Sequence, residues 1–99
     1  MLVDNIVKQI AEYYGFANQR RQCVEEMAEL TKAICKYDRE IDIHKRAELM
    51  NDICEELADV EIMVRQLKKL CGEDKVNLEV LKKLKRQLER IAEEEKALT

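Results

Sequence analysis

The sequence predicts an all-α protein, four helices in a bundle-like arrangement that oligomerisation completes. Three observations point there. Proline is absent and Gly15 and Gly72 are the only glycines, which leaves little of the turn chemistry a strand architecture needs. Apolar residues recur at spacings of three and four, the helical period. Charged residues make up 39% of the chain and apolar ones 46%, with the Ala, Glu, Lys, Leu and Arg bias of helical proteins. The 99 residues fit one domain over the whole chain. So small a chain buries a modest core, and a homodimer or homotetramer is expected.

The first helix is expected from Asp4, a plausible N-cap, to Tyr14, with Gly15 as its stop. The second is expected from Asn18 to Tyr37, with Cys23, Met27, Leu30, Ile34 and Tyr37 as its core positions. The polar segment "DREIDIHK" breaks the chain, and His44 is expected to be exposed there. The third and longest helix is expected from Lys45 to Leu70, with Leu49, Ile53, Val60 and Leu67 facing inward and "CG" closing it. The fourth is expected from near Asn77 through Leu81, Leu84, Leu88 and Ile91. Residues 92–99 read as a frayed, solvated tail. Short connections favour antiparallel neighbours.

The net charge of −3 does not fit an electrostatic nucleic-acid binder, which carries a basic stripe. "MLVDNIVKQI" lacks the basic and continuous apolar regions of a signal peptide. No apolar run nears the roughly 18 residues that span a bilayer. A cytoplasmic protein is expected. Cys23, Cys35, Cys54 and Cys71 show no C-x-x-C spacing, and with one histidine a zinc site has little basis. Reduced, mostly buried thiols are the expectation.

Two stretches stand out, "CVEEMAEL" at 23–30 and "CEELADVEIM" at 54–63. Each places two adjacent glutamates before a further acid three residues on. With Glu56 set at zero on its helix, Leu49 and Leu67 fall at about +20°, Val60 at about +40° and Met63 at about −20°. Glu56 therefore lies within the apolar sector. Asp52 and Asp59 follow at about −40° and −60°, along its edge. On the second helix Glu26 borders the apolar face, Glu29 shares its flank, and Ala33 leaves space beside them. Carboxylates held among apolar groups take up a proton, pair, or bind a cation. An all-oxygen donor set suits Mg²⁺, with Mn²⁺ as a substitute, better than zinc. The plainer reading of such glutamates is a solvated helix face; it fits Glu55 and Glu61 best.

"EEMAE" at 25–29 and "EELAD" at 55–59, on consecutive helices, resemble the paired E-E-x-x-E and E-x-x-D motifs of the all-α nucleoside triphosphate pyrophosphohydrolases. The chain looks like a MazG-like protein, from a superfamily with dimeric dUTPases and phosphoribosyl-ATP pyrophosphohydrolases. The resemblance covers roughly residues 16–91. It implies Mg²⁺ ligands at Glu26, Glu29, Glu56 and Asp59. It also implies cleavage of a (d)NTP between the α- and β-phosphates, giving nucleoside monophosphate and pyrophosphate. Glu25 and Glu29 are both candidates for orienting or deprotonating the attacking water. On the fourth helix Lys83 and Arg90 match family positions, while Gln87 replaces an asparagine and Ile91–Ala92 stand in place of Tyr-Pro. Lys83, Gln87 and Arg90 are thus candidate substrate contacts, as are Gln19 and Gln22 for a base or ribose. Phe16, Tyr13 and Tyr14 are candidate stacking partners. The alternative function is a non-enzymatic helical oligomerisation module, given the coiled-coil-like spacing of Leu81, Leu84, Leu88 and Ile91. A di-iron carboxylate bundle is disfavoured, because its Glu-x-x-His pairs are missing.

Overall fold

A computed structural model describes residues 2–99. The chain is all-α, with α1 Leu2–Tyr14, α2 Phe16–Arg39, α3 Ile43–Cys71 and α4 Glu73–Leu98. Each helix is longer than its sequence pattern implies. α1 begins before Asp4, which lies in the first turn rather than at the cap. α4 starts at Glu73, and it continues to Leu98 through the segment expected to fray. Good helix formers fill that segment, and propensity alone carries the helix on.

The joints are short. Gly15 at φ 81° links α1 to α2 in a single residue, and its N–H donates to Ala11 O at 2.9 Å. Gly72 at φ 136° does the same between α3 and α4, with its N–H on Lys68 O at 3.1 Å. Both need the positive φ that glycine adopts without steric cost. The α2–α3 turn ends at Asp42, whose carboxylate accepts from the N–H of His44 at 2.9 Å and of Lys45 at 3.3 Å. This satisfies two orphan donors at the start of α3. His44 is exposed, as its place in the turn implies.

α2 and α3 form the body of the fold, packed antiparallel along most of α2. On α2 the least exposed positions are Gln19, Cys23, Glu26, Leu30, Ala33 and Tyr37. On α3 they are Arg46, Leu49, Ile53, Glu56, Val60, Met63 and Gln66, followed by the half-buried last turn 67–70. Both rows step by three and four, the seven-residue pattern of a coiled-coil seam. Arg46 closes the turn end, its guanidinium 4.4 Å from the Tyr37 ring centroid. α1 packs on α3, and less on α2, through Val7 and Ala11. Lys69 ties three helices: its Nζ lies 2.8 Å from Asp4 Oδ1 and 2.8 Å from Glu73 Oε2.

Two expectations about the core are corrected. Met27 and Ile34 lie outside the α2–α3 seam and are exposed, because α2 carries two apolar stripes and the neighbouring one meets α3. Among the cysteines only Cys23 is buried; Cys35, Cys54 and Cys71 are exposed. Among the described residues α4 contacts α3 alone, and every residue from 77 onward is exposed. The radius of gyration is accordingly 17.6 Å, against about 13 Å for a compact domain of about 100 residues.

Candidate metal centre

The antiparallel seam sets residues of α2 opposite residues of α3, and it sets acid opposite acid. Glu26 and Glu56 both occupy seam positions and are half-buried. Asp59, one turn beyond Glu56, is exposed at the rim. Carboxylate oxygens of Glu26, Glu56 and Asp59 all lie within 4.8 Å of one another. Gln22, one turn before Glu26, donates from Nε2 to Glu26 Oε1 at 2.9 Å and orients that carboxylate.

This arrangement is electrostatically costly. Partial burial first, and then the charges of Asp59, Glu26, Glu29 and Glu55, push the Glu56 carboxyl above its ordinary range. Like charges and desolvation both favour the protonated form. A divalent cation held by oxygen ligands offsets the same charges, and three carboxylates at this separation fit one. No group of this kind occurs elsewhere among the described residues.

The other predicted ligand, Glu29, is exposed and outside this triad. It lines a small cavity of about 130 Å³ with Lys32, Ala33, Lys36, Asp52, Glu55 and Glu56. Buried Ala33 opens that space, as its small side chain implies. Lys32 and Lys36 border these acids yet make no ion pair among the described residues. On the other side of the triad lies a larger cavity of about 670 Å³. Ile10, Tyr14, Asn18, Gln19, Gln22, Glu25 and Gln66 are among its walls. Glu25 thus faces the large cavity and Glu29 the small one.

Gln19 and Gln66 are 6% and 2% exposed, and Gln19 Nε2 donates to Gln66 Oε1. Gln66 is a residue that the sequence patterns do not single out. Its signal is positional, a glutamine three residues after Met63 in the same seam row. Tyr13 and Tyr14 stack edge to face at 4.9 Å, and Tyr14 alone of the predicted aromatics lines the cavity. Phe16 sits under Arg20, with 5.1 Å from guanidinium to ring centroid.

Lys83, Gln87 and Arg90 are not brought to the acids within one chain. They lie on α4, which makes no contact with α2 and leaves all three exposed. Without a neighbour, no burial draws that helix back along α3.

No helix of the described residues is long and apolar enough to cross a membrane. No protein-family model matches the chain, and neither a curated protein nor a solved structure matches it.

Proposed function

We propose that the protein is a Mg²⁺-dependent nucleoside triphosphate pyrophosphohydrolase, cleaving a (d)NTP between the α- and β-phosphates. One observation carries this reading: Glu26, Glu56 and Asp59 converge from two helices next to a cavity of nucleotide size. Glu26, Glu56 and Asp59 would hold the cation, which when bound offsets phosphate charge and lowers the pKa of water. Glu29 and Glu25 flank the triad on either side, each positioned to orient a water and accept its proton. Gln19, Gln22 and Gln66 offer amide groups to a base or ribose, and Tyr14 offers a ring face. Lys32 and Lys36 supply free ammonium groups beside the acids, suited to the departing phosphates.

A nucleotide panel with Mg²⁺, followed by pyrophosphate release and product chromatography, tests this. At least one triphosphate is expected to yield monophosphate and pyrophosphate, with loss of turnover in chelator. Even outer-sphere partners of metal sites command 10–100-fold effects. Glu56→Gln and Asp59→Asn should therefore each lower kcat/KM by at least about 100-fold, with helix content unchanged. Absence of cleavage for every nucleotide, together with a melting temperature indifferent to Mg²⁺, would sink the proposal.

A second reading, a non-enzymatic association module, draws support from α4, whose Leu81, Leu84, Leu88 and Ile91 are all exposed. A plain bundle has no metal linkage, so the Mg²⁺ dependence of thermal stability separates the two.

A further inference from the structure

Asn18, Gln19, Gln22 and Gln66 put four amide side chains on the wall of the cavity of about 670 Å³ beside the triad. They are not alike. Asn18 Nδ2 donates to Tyr14 O at 2.9 Å, and Gln22 Nε2 donates to Glu26 Oε1 at 2.9 Å. A carbonyl and a carboxylate only accept, so the nitrogen and oxygen ends of these two amides are fixed. Gln19 and Gln66 are held by each other. Gln19 Nε2 donates to Gln66 Oε1, and neither side chain makes another hydrogen bond among the described residues. That one bond leaves Gln19 Oε1 and Gln66 Nε2 unused. Both residues are more than nine-tenths buried, at 6% and 2% exposure. Yet neither unused atom is sealed in, because Arg46 Nε is the one fully buried side-chain nitrogen or oxygen without a partner among the described residues. The two atoms therefore open onto the cavity that their residues line. As packing, a buried amide pair contributes little that an apolar pair of the same shape would not.

We infer that Gln19 and Gln66 read the hydrogen-bonding edge of the substrate's base, and that they accept amino and keto bases alike by reversing both amides together. The inference rests on the nucleotide reading above. Gln19 lies seven residues before Glu26, two turns and about 10 Å along α2. A phosphate at the triad thus leaves its ribose and base to extend into this cavity. Ile10 and Met63 give it apolar walls and Tyr14 a ring, which suit the faces of a base and leave its edge to the amides. In one orientation the pair presents the Gln19 carbonyl beside the Gln66 amine. That matches a ring N–H next to a ring-bound carbonyl in one order and a ring nitrogen next to an exocyclic amine in the other. The terminal torsion of glutamine is broad and two-fold. When both amides turn by half a revolution, Gln66 Nε2 donates to Gln19 Oε1 and the mutual bond survives. The outward donor and acceptor then trade places. Asn18 and Gln22, tied to obligate acceptors, have no such freedom.

Two trios of nucleoside 5′-monophosphates test it, by titration calorimetry on the full chain with Mg²⁺. One trio carries cytosine, uracil and 2-pyrimidinone; the other carries adenine, hypoxanthine and unsubstituted purine. In each trio the third base lacks the exocyclic group. In the trio that binds better, the amino and keto members are expected within about 10-fold of each other. The third member should bind at least about 10-fold more weakly than either, the cost of leaving a buried amide unpaired. In Gln66→Met, which keeps the length of the side chain without its amide, all three should bind alike. A pair that merely bridges α2 and α3 would shift all three together and keep the wild-type ranking, and that result overturns the inference. So does a wild type that separates amino from keto by more than about 10-fold, one indifferent to the missing group, or one that binds none of the six. Should Gln66→Met lose its helical circular dichroism, the wild-type ranking decides alone. Monophosphates are not cleaved by the proposed reaction, so the two readings fail separately. The expected ranking without pyrophosphate release keeps the base reader and removes the enzyme; release with a ranking set by amino or keto alone does the reverse.

Discussion

Glu56 is the residue on which the site's electrostatics turn. Its seam position takes it partly out of water, and four other carboxylates surround it, so its carboxyl sits above the ordinary value of 4.5. A carboxyl with a raised folded pKa favours folding fully below the unfolded value, and that contribution is lost as pH rises through the folded value. In chelator, Glu56→Gln should therefore melt above wild type at neutral pH. The two should converge below about pH 4, where the wild-type side chain is itself neutral. Thermal unfolding across pH measures this; a wild type that melts higher than the variant at neutral pH in chelator contradicts the assignment. Glu56 and Asp59 are legible in the sequence because Leu49, Val60, Met63 and Leu67 anchor the wheel of α3 and all four turn inward or toward half-burial. Glu26 is less legible. Met27 looks like its core neighbour, yet Met27 is exposed and Glu26 itself takes the seam position.

At the level of elements, the α2–α3 pair depends on a turn whose one strong local device is Asp42. Its carboxylate accepts two backbone N–H groups at the start of α3, and loss of such a cap costs about 1 kcal/mol. Asp42→Ala should lower unfolding free energy by about that amount. Asp42→Asn, which keeps an acceptor, should lower it much less. Denaturant unfolding checks the pair, and equal losses in both variants would mean that charge, not capping, matters there. Helix boundaries are where the sequence reading falls short. Patterns of apolar residues mark the buried middle of a helix, whereas its ends extend as far as caps and propensity allow. α4 is the clearest case. Its apolar spacing begins near Asn77, but Gly72 lets the helix start at Glu73 and strong helix formers carry it to Leu98.

For the whole molecule, the decisive feature is how little one chain buries. α4 has no buried residue, and the α2–α3 hairpin leaves Val24, Met27, Ile34, Met50, Leu57 and Val64 between 41 and 62% exposed on one side. If a second copy covers that side, folding and association are linked, and stability depends on chain concentration. The melting temperature should rise over a 100-fold increase in protein concentration for wild type and stay constant for Met27→Lys/Leu57→Lys. A concentration-independent wild type would argue that the chain folds alone. If Glu26, Glu56 and Asp59 hold Mg²⁺ in the folded chain, Mg²⁺ should raise the melting temperature as well.

The sequence by itself determines the helical class, the order of the helices and the common edge of Glu56 and Asp59, because each follows from a period of a few residues along one helix. Only the tertiary structure decides which of the two apolar stripes of α2 meets α3. With that choice come the pairing of Glu26 with Glu56, the buried contact of Gln19 with Gln66, and the separation of Lys83, Gln87 and Arg90 from the acids. Those outcomes rest on register and packing between segments distant in the chain, where burial summed over a whole interface outweighs the preference of any single residue.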